Sequence, residues 1–418
     1  IGVIAEKFSD YGNYMDEYDK KNDDDILYHL GSRTPYRFNA NMDITDAKKR
    51  TCPTKIWMFI RHGTNYPSKN EINNMNNRLS LIQELVLDAH EDDSDALGTL
   101  RDEELEVFDE WVPMIEDITK EKHLTAEGER ENIGLAQRMQ KRYPTIFKPK
   151  FSNQTYKFRY TNSQRALRSA QAFAEGLFNN SKNVHLPPPN EKEMEILQFY
   201  SKCTKWRNEV DDNLNSLKER NLFENSEIVK EAVEDININL GLKEDELSLD
   251  DIMLMYKACG FETAWNDSLI SPWCLPFDLD TIKVFEYIGD LRQYWFSGYG
   301  YKINYQQACP AFNDMIKFFE NKNTPRTATL YFTHSGALLK LLTLLGLDHD
   351  KEHLLHSNYM SNSERKYRTS AFDNFASNIA FILHGCKSKQ KVTVRQNEYI
   401  IRLPACPKTD SCDLSIIK

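Results

Sequence analysis

The sequence predicts an α/β protein, with a layered α/β core and an all-helical cap inserted into that core. An apolar run of strand length, a polar turn with His or Arg and then a helix follow one another three times, at residues 56–62, 156–165 and 327–334. Residues 190–272 are rich in charge and helical in period, without a convincing strand. We therefore expect a polar N-terminal arm at 1–40, a core at 41–189 and 273–418, and the cap at 190–272.

The individual elements follow from periodicity and from residues that break it. Residues 8–25 are polar and acidic and predict an extended arm, and the triple proline at 187–189 predicts a break. Apolar residues three and four apart predict helices at 81–89, 124–143, 164–178, 191–203, 211–219, 227–240, 249–259, 278–295 and 336–345. Apolar runs or alternating residues predict strands at 56–62, 156–161, 327–333, 378–384 and 399–403.

Composition limits the possible partners. The chain has 418 residues and a formal net charge of -10, which argues against nucleic acid, because a phosphate backbone needs a basic face. A small phosphorylated or other anionic ligand remains compatible, since a few local cations set the field of its pocket. No apolar run is long enough for a membrane span, and nothing predicts a metal or another cofactor. Sequence gives no access to the oligomeric state.

Cysteines and glycosylation sequons favour a secreted or lumenal protein. The eight cysteines include no CxxC pair, which leaves structural disulfides or scattered buried thiols. Three sequons place candidate glycosylation at Asn153, Asn179 and Asn266. The chain begins at Ile1 without a signal-like segment, so we expect a mature, processed form.

The candidate site lies at the ends of the three strands. Arg61, His62 and Gly63 follow the first apolar run, Arg165 follows the second and His334 follows the third. If the strands are parallel neighbours, these side chains meet at one sheet edge, where open α/β sheets bind ligands. Helix N-termini at the same edge add partial positive charge, and phosphate is the simplest occupant of such a pocket. Lys69 and Arg168 either extend this pocket or belong to solvated helix faces.

The segment Arg61-His62-Gly63-Thr64-Asn65-Tyr66-Pro67 resembles the RHGxRxP signature of the histidine acid phosphatases. Two further segments are similar to motifs of that family, namely 124–128 with 142–144, and 161–165 with 169–173. The segments 271–274, 294–295 and 298–301 are similar to a narrower branch, the multiple inositol polyphosphate phosphatases. The resemblance extends from about residue 52 to about residue 386.

The resemblance implies hydrolysis of phosphomonoesters in two steps. His62 would attack phosphorus, and Arg61, Arg165 and His334 would hold the phosphate oxygens. An acid in an HAE or HD motif at the second histidine would protonate the leaving oxygen. Here that motif reads His334-Ser335-Gly336, so Gly336 stands at the expected glutamate, and Asn65 replaces the second signature arginine.

These two replacements leave two functions open. Loss of a general acid costs roughly 10²–10⁴ in rate, and loss of a charged transition-state donor roughly 10²–10³ more. The first function is therefore a secreted phosphatase of the inositol polyphosphate type, with weak or impaired activity through His62. The second is a catalytically inactive homologue, a pseudoenzyme that binds or stores a small molecule or anion in the same cleft.

The resemblance also implies a disulfide pattern. It pairs Cys52 with Cys386, which would tie the first strand to a late one, and it makes local loops of Cys259–Cys274 and Cys406–Cys412. Cys203–Cys309 is the pair that remains.

Overall fold

A mixed β-sheet organises the fold in the computed structural model of the chain, which describes residues 25–46, 52–92, 98–115, 117–268, 271–385, 390–407 and 409–418. Its strands are β1 (Pro53–Arg61), β2 (Tyr156–Tyr160), β3 (Ala328–Thr333), β4 (Asn378–His384), β5 (Lys391–Gln396), β6 (Tyr399–Ile401) and β7 (Cys412–Asp413). Their order in the sheet is β2-β3-β1-β4-β5-β6, and β7 pairs with β5.

The three predicted strands are parallel neighbours, as the site requires. β3 lies between β2 and β1 and is parallel to both, with Phe332 opposite Tyr160 on one side and Ile60 on the other. β1 is apolar from Ile56 to Ile60 because this part of the strand is central and both faces of the sheet are covered. Trp57 and Phe59 face one hydrophobic cluster, whereas Met58 and Ile60 face the other, as strand alternation demands.

Helices cover both faces of the sheet. Among the described residues, the α-helices of five residues or more are α1 (Lys69–Asn74), α2 (Ser80–Asp92), α3 (Asp102–Asp109), α4 (Ala126–Arg142), α5 (Gln164–Phe178), α6 (Glu191–Leu197), α7 (Lys218–Glu224), α8 (Glu227–Asn239), α9 (Leu249–Trp265), α10 (Leu279–Ser297), α11 (Lys302–Gln306), α12 (Cys309–Glu320) and α13 (Ser335–Leu344). Helices α4 and α5 pack on one face, where Leu135 and Phe173 are fully buried. The other face shares one continuous core with the helices of the segment 190–268.

The α/β class is confirmed, with some corrections to individual elements. Residues 190–268 contain helices and no strand, although the division into core and cap stays a prediction. The predicted helix at 211–219 is wrong, because residues Leu214–Leu217 form a 3₁₀ turn and the helix begins at Lys218. Strand β5 was missed, although its Val-Thr-Val alternation is a strand signal.

The predicted N-terminal arm lies largely outside the described residues. From Asp25 onward the chain is packed against the rest of the protein, and Leu30 and Tyr36 are buried in the two clusters. None of the described helices is long and apolar enough to cross a membrane. The candidate glycosylation residues Asn153, Asn179 and Asn266 are all exposed, which is compatible with modification.

Two of the implied disulfides are formed, and one is not. Cys259 is bonded to Cys274 and Cys406 to Cys412. Cys52 is also disulfide-bonded, but its predicted partner, Cys386, lies outside the described residues. The pairing of Cys203 with Cys309 is wrong, since both are free thiols. Cys309 is exposed at the first turn of α12, and Cys203 follows a separate 3₁₀ turn.

Candidate active site

The turn after β1 is held by close backbone packing. A Cβ on Gly63 would lie 2.5 Å from the carbonyl oxygen of Gly128 on α4, so only glycine fits there. The buried carboxylate of Glu131 accepts hydrogen bonds from the Thr64 amide at 2.7 Å and from the Thr64 hydroxyl at 2.8 Å. The amide of Thr125 donates to the Thr64 carbonyl at 2.9 Å. The start of α4 thereby fixes the loop that carries the candidate nucleophile.

The predicted site residues meet at the carboxyl edge of the three parallel strands. The rings of His62 and His334 have centroids 5.4 Å apart. Arg165, in the first turn of α5, places Nη2 3.3 Å from Nδ1 of His334. Both α5 and α13 begin at this edge, so their amide dipoles add positive potential. Side chains from three distant segments thus surround one point.

His62 is arranged as a neutral imidazole with one free nitrogen. Its Nδ1 lies 2.9 Å from the carbonyl oxygen of Gly63, which can only accept, so Nδ1 carries the proton and Nε2 the lone pair. Burial lowers the pKa of His62 well below its usual value, and the positive charges of Arg165 and Arg61 lower it further. A nucleophilic histidine needs this unprotonated form.

His334 is also neutral in this arrangement. Arg165 can only donate, so Nδ1 of His334 accepts and Nε2–H donates to the Thr161 hydroxyl at 2.9 Å. Burial, followed by the charges of Arg165 and Arg61, lowers the pKa of His334 to about 3. The imidazole is thereby a hydrogen-bonding group rather than a cation.

Arg61 is buried, and the backbone of two other segments holds its guanidinium. Its Nη1 donates to the carbonyl of Ser32 at 2.8 Å and to the carbonyl of Asp373. The Asp373 carboxylate lies 3.8 Å from the same nitrogen, and the guanidinium stacks over Phe375 at 4.9 Å. The pKa of Arg61 is lowered by burial and partly restored by Asp373. The guanidinium therefore lies in a fixed position beside His62.

The sequence pattern of the histidine phosphatase superfamily (branch 2) matches residues 54–403. The chain belongs to this superfamily. Multiple inositol polyphosphate phosphatase 1 of Drosophila melanogaster is 33% identical over 362 residues, which are 85% of this chain and 76% of that protein. The Homo sapiens protein of the same name is 29% identical over 388 residues, 86% of this chain and 77% of that protein.

Solved structures of other proteins share the fold. The phytase from D. castellii matches with a TM-score of 0.73 at 17% identity, over 93% of this chain and 83% of that one. The Bifidobacterium longum multiple inositol polyphosphate phosphatase, solved in complex with inositol hexasulfate, matches with a TM-score of 0.67 at 15% identity, over 93% and 96% of the two chains.

Asn65 and Gly336, the two positions where we expect departures from the family motifs, place no side chain in the pocket. Asn65 turns its amide nitrogen back to the carbonyl of Tyr66 at 2.7 Å. Gly336 lies on the first turn of α13, where a Cβ would stand 3.7 Å from the ring of Tyr200, an ordinary contact. The structure therefore leaves room for a side chain at position 336 and does not supply one there.

A set of cations around Arg33, whose charge also acts on Arg61, was not found from the sequence. Desolvation lowers the pKa of Arg61 and of Lys257, and in both cases the charge of Arg33 lowers it further. Desolvation also lowers the pKa of Arg292, followed by the charges of Arg220 and Arg33, although Arg292 is accessible to solvent. Arg292 is therefore open to solvent on one side and desolvated by protein on the other, as expected of a residue that lines a cleft.

These cations have few partners. Lys257 and Arg292 make no ion pair within the described ranges, and Arg33 reaches only Glu71, at 3.8 Å. They come from segments far apart in the chain, and no motif marks them. Arg168 and Lys69, which the sequence left open, lie exposed, and Arg168 pairs with Glu129 on the helix surface.

Proposed function

We propose that this protein hydrolyses phosphomonoesters through a phosphohistidine on His62. The observation that carries the proposal is the state of His62, whose Nδ1–H is fixed to Gly63 while Nε2 is unprotonated beside Arg61, Arg165 and His334. A nucleophile surrounded by guanidinium and imidazole groups matches the needs of phosphoryl transfer, in which positioning and charge stabilisation provide most of the catalysis.

Two displacements at phosphorus complete the reaction. Nε2 of His62 attacks phosphorus, the N–P bond forms, the P–O bond to the alcohol breaks, and the leaving oxygen takes a proton. Water then attacks the phosphohistidine, the N–P bond breaks, and inorganic phosphate leaves as His62 returns to its starting form. Arg61 and Arg165 stabilise the phosphoryl oxygens in both steps.

The substrate class that we propose is inositol polyphosphates. The catalytic pocket accommodates one phosphate, and Arg33, Lys257 and Arg292 supply charge beyond it for others on the same ring. Multiple inositol polyphosphate phosphatase 1 proteins are among the relatives, and the Bifidobacterium longum enzyme was solved with inositol hexasulfate. A ligand with several phosphates would use more of these cations than a simple monoester.

We propose that the catalytic rate is lower than that of relatives with the full motifs. We also propose that the protein is secreted and glycosylated at the exposed sequons. Asn65 removes one cation from the signature, and Gly336 removes the acid. The disulfides Cys259–Cys274 and Cys406–Cys412 support an oxidising compartment.

The test compares wild type, His62→Ala and the control His185→Ala, which alters an exposed histidine outside the proposed site. Each is assayed with phytate and with 4-nitrophenyl phosphate, and radiolabelled substrate is quenched in alkali, where a phosphohistidine survives. We expect turnover and a labelled protein in wild type and in His185→Ala, and neither in His62→Ala. Turnover that persists in His62→Ala would exclude His62 as the nucleophile.

A second candidate is the non-catalytic binding or storage protein. Gly336 favours it, because the residue that should protonate the leaving oxygen is missing while the phosphate-binding groups remain. Calorimetric titration with phytate separates the two functions. Tight binding without turnover of either substrate supports the binding protein, whereas turnover supports the enzyme.

A further inference from the structure

The missing acid raises the question of which group protonates the leaving oxygen. The HD form of the motif places the acid directly after the second histidine, and in this chain that position is Ser335. Ser335 is the first residue of α13 and is only half-buried. Its Oγ is hydrogen-bonded to Oδ2 of Asp373 at 2.6 Å. A hydroxyl next to His334 is thus connected directly to a carboxyl group.

Asp373 is buried at the edge of the phosphate pocket. Its side chain is fully excluded from solvent, and Oδ1 lies 3.8 Å from Nη1 of Arg61. Oδ1 has no hydrogen-bond partner among the described residues. An ionised carboxylate with an unsatisfied buried oxygen is costly, so a protonated carboxyl suits this environment better.

We propose that Ser335 and Asp373 form a proton relay that replaces the acid missing at position 336. Ser335 is the catalytic residue that contacts the leaving oxygen, and Asp373 is the positioning residue behind it that stores the proton. The relay rests on the phosphatase function proposed above and names the donor that this function lacks.

The charges around Asp373 support this role. Burial raises the pKa of Asp373 to about 6, Arg61 and the Ser335 hydrogen bond oppose the increase, and Asp290 adds to it. The phenol of Tyr367, whose own pKa is raised by burial, also faces the carboxyl. A pKa close to a mildly acidic working pH is the property that a general acid needs.

The proton movements balance in both steps. With Asp373 protonated on Oδ2, the carboxyl donates this hydrogen bond to Ser335 Oγ, and the Ser335 hydrogen is free for the leaving oxygen. As Nε2 of His62 bonds to phosphorus and the P–O bond breaks, Ser335 gives its proton to the leaving oxygen and receives one from Oδ2 of Asp373. When water attacks the phosphohistidine, a water proton passes to Ser335 and the Ser335 proton passes to the Asp373 carboxylate. The products are an alcohol and inorganic phosphate, and Asp373 is again protonated.

Tyr200 is the competing donor. Its hydroxyl would lie 3.9 Å from a Cβ at position 336, and the charge of Arg165 acts on it. Burial nevertheless raises the pKa of Tyr200 above the ordinary phenol value, which makes it a poor acid at acidic pH. Tyr200→Phe is therefore the matched control.

The experiment uses the dependence on the leaving group. Glycerol 2-phosphate needs a proton donor, whereas 4-nitrophenol leaves as the anion. We expect Ser335→Ala and Asp373→Asn each to lower kcat for glycerol 2-phosphate by roughly 10²–10⁴, the usual contribution of a general acid. For 4-nitrophenyl phosphate we expect little change, with an unchanged inhibition constant for inorganic phosphate. The double variant should be no slower than either single variant, because both residues serve one proton.

Two further readouts separate a relay from a structural role. In wild type, kcat for glycerol 2-phosphate should fall as pH rises through about 6, where Asp373 loses its proton, and this decrease should be absent in Asp373→Asn. Gly336→Glu added to Asp373→Asn should restore hydrolysis of glycerol 2-phosphate by returning an acid to the family position. A purely structural defect would show neither behaviour.

Several outcomes would overturn the relay. Equal losses on both substrates would mean that Asp373 only holds Arg61, and a loss in Tyr200→Phe confined to glycerol 2-phosphate would make the tyrosine the donor. A wild type that cleaves only 4-nitrophenyl phosphate would refute the relay and leave the phosphatase function standing. A wild type that cleaves neither substrate would refute the phosphatase function and the relay with it.

Discussion

At the residue scale, the site depends on groups that fix the state of one imidazole. The carbonyl of Gly63 selects the tautomer of His62, and burial with two guanidinium groups keeps it unprotonated. Glu131 holds the neighbouring Thr64 by two hydrogen bonds, and burial raises the pKa of this carboxyl to about 7. Since none of these supports needs the residues at 65 or 336, the nucleophile can keep its geometry although two motif positions have changed.

Two glycines of the site should respond oppositely to alanine. Gly63→Ala places a Cβ 2.5 Å from the Gly128 carbonyl, so we expect a loss of about 1–3 kcal/mol in the free energy of unfolding and a displaced His62. Gly336→Ala meets only ordinary contacts at 3.7 Å and should leave stability and 4-nitrophenyl phosphate hydrolysis unchanged. Denaturant unfolding and initial rates measure both. Equal stability of the two variants would contradict the close approach of β1 and α4.

Arg165 should control the pH at which His62 loses its nucleophilic form. Its charge lowers the pKa of His62, so Arg165→Gln should raise that pKa toward 6.5. Protonation would then remove the nucleophile at a higher pH, and the acid limb of kcat/KM for 4-nitrophenyl phosphate should move upward. Arg168→Gln, one turn along α5 on the exposed surface, is the control and should not move it. An unmoved limb in Arg165→Gln would exclude this coupling.

At the element scale, the sequence identified the parts of the fold whose patterns are local. The helix at 164–178 and the strand at 378–384 have the predicted bounds, because their apolar periodicity and the cap at Ser163 act within a few residues. In the hairpin from β5 to β6, the second strand was predicted, but β5 and the turn between the two strands were missed. Its two-residue turn, Asn397 and Glu398, has positive φ at both positions, as in a type I′ turn, and a glutamate there gives no turn signal.

Glu398 occupies that unfavourable turn because its side chain joins the hairpin to α4. The buried carboxylate accepts from Arg138 at 2.7 Å, from Arg142 and from the Tyr36 hydroxyl at 2.9 Å. These partners come from distant segments, so the turn could not be inferred locally. The candidate pocket shows the same limit, since motifs marked Arg61, His62 and His334 but nothing marked Asp373.

Removal of the Glu398 charge should destabilise the whole protein. Glu398→Gln removes the buried countercharge that Arg138 and Arg142 share, and it leaves Arg142 with only the less buried Asp46, whose Oδ1 lies 3.5 Å from its Nε. Breaking such a buried pair costs about 3–5 kcal/mol. Glu129→Gln is the matched control on α4, because its pair with Arg168 is exposed and contributes about 0–1 kcal/mol. The midpoints of chemical denaturation compare the two. A similar small shift for both variants would show that the hairpin is not fixed through Glu398.

At the scale of the whole molecule, charge separates the cleft from the rest of the surface. The chain carries a net charge of -10, yet Arg61 and Arg165 meet at one edge of the sheet, and the charge of Arg33 acts on Arg61 and also on Lys257 and Arg292. Long-range fields of exposed charges are screened within about 10 Å at 0.1 M salt, so the acidic surface does little to cancel the local potential. A polyanion is therefore attracted to this edge although the protein as a whole is acidic.

Because these cations lie outside the catalytic pocket, mutations should be able to change the affinity for a polyphosphate substrate without changing catalysis at the phosphate that reacts. Arg33→Gln and Arg292→Gln remove cations beyond the catalytic pocket, and a hydrogen bond to a charged group contributes about 1.5–3 kcal/mol, or roughly tenfold or more in binding. We therefore expect each variant to raise KM for phytate by about tenfold or more, while KM for 4-nitrophenyl phosphate and kcat for both substrates stay unchanged.

Lys230→Gln, on an exposed helix face, is the charge-matched control and should affect neither substrate. Added salt should weaken phytate binding more strongly in wild type than in either cleft variant, since fewer charges remain to be screened. Parallel increases of KM for both substrates would place Arg33 and Arg292 in the catalytic pocket itself, and no increase would remove the support that these cations give to a polyphosphate substrate.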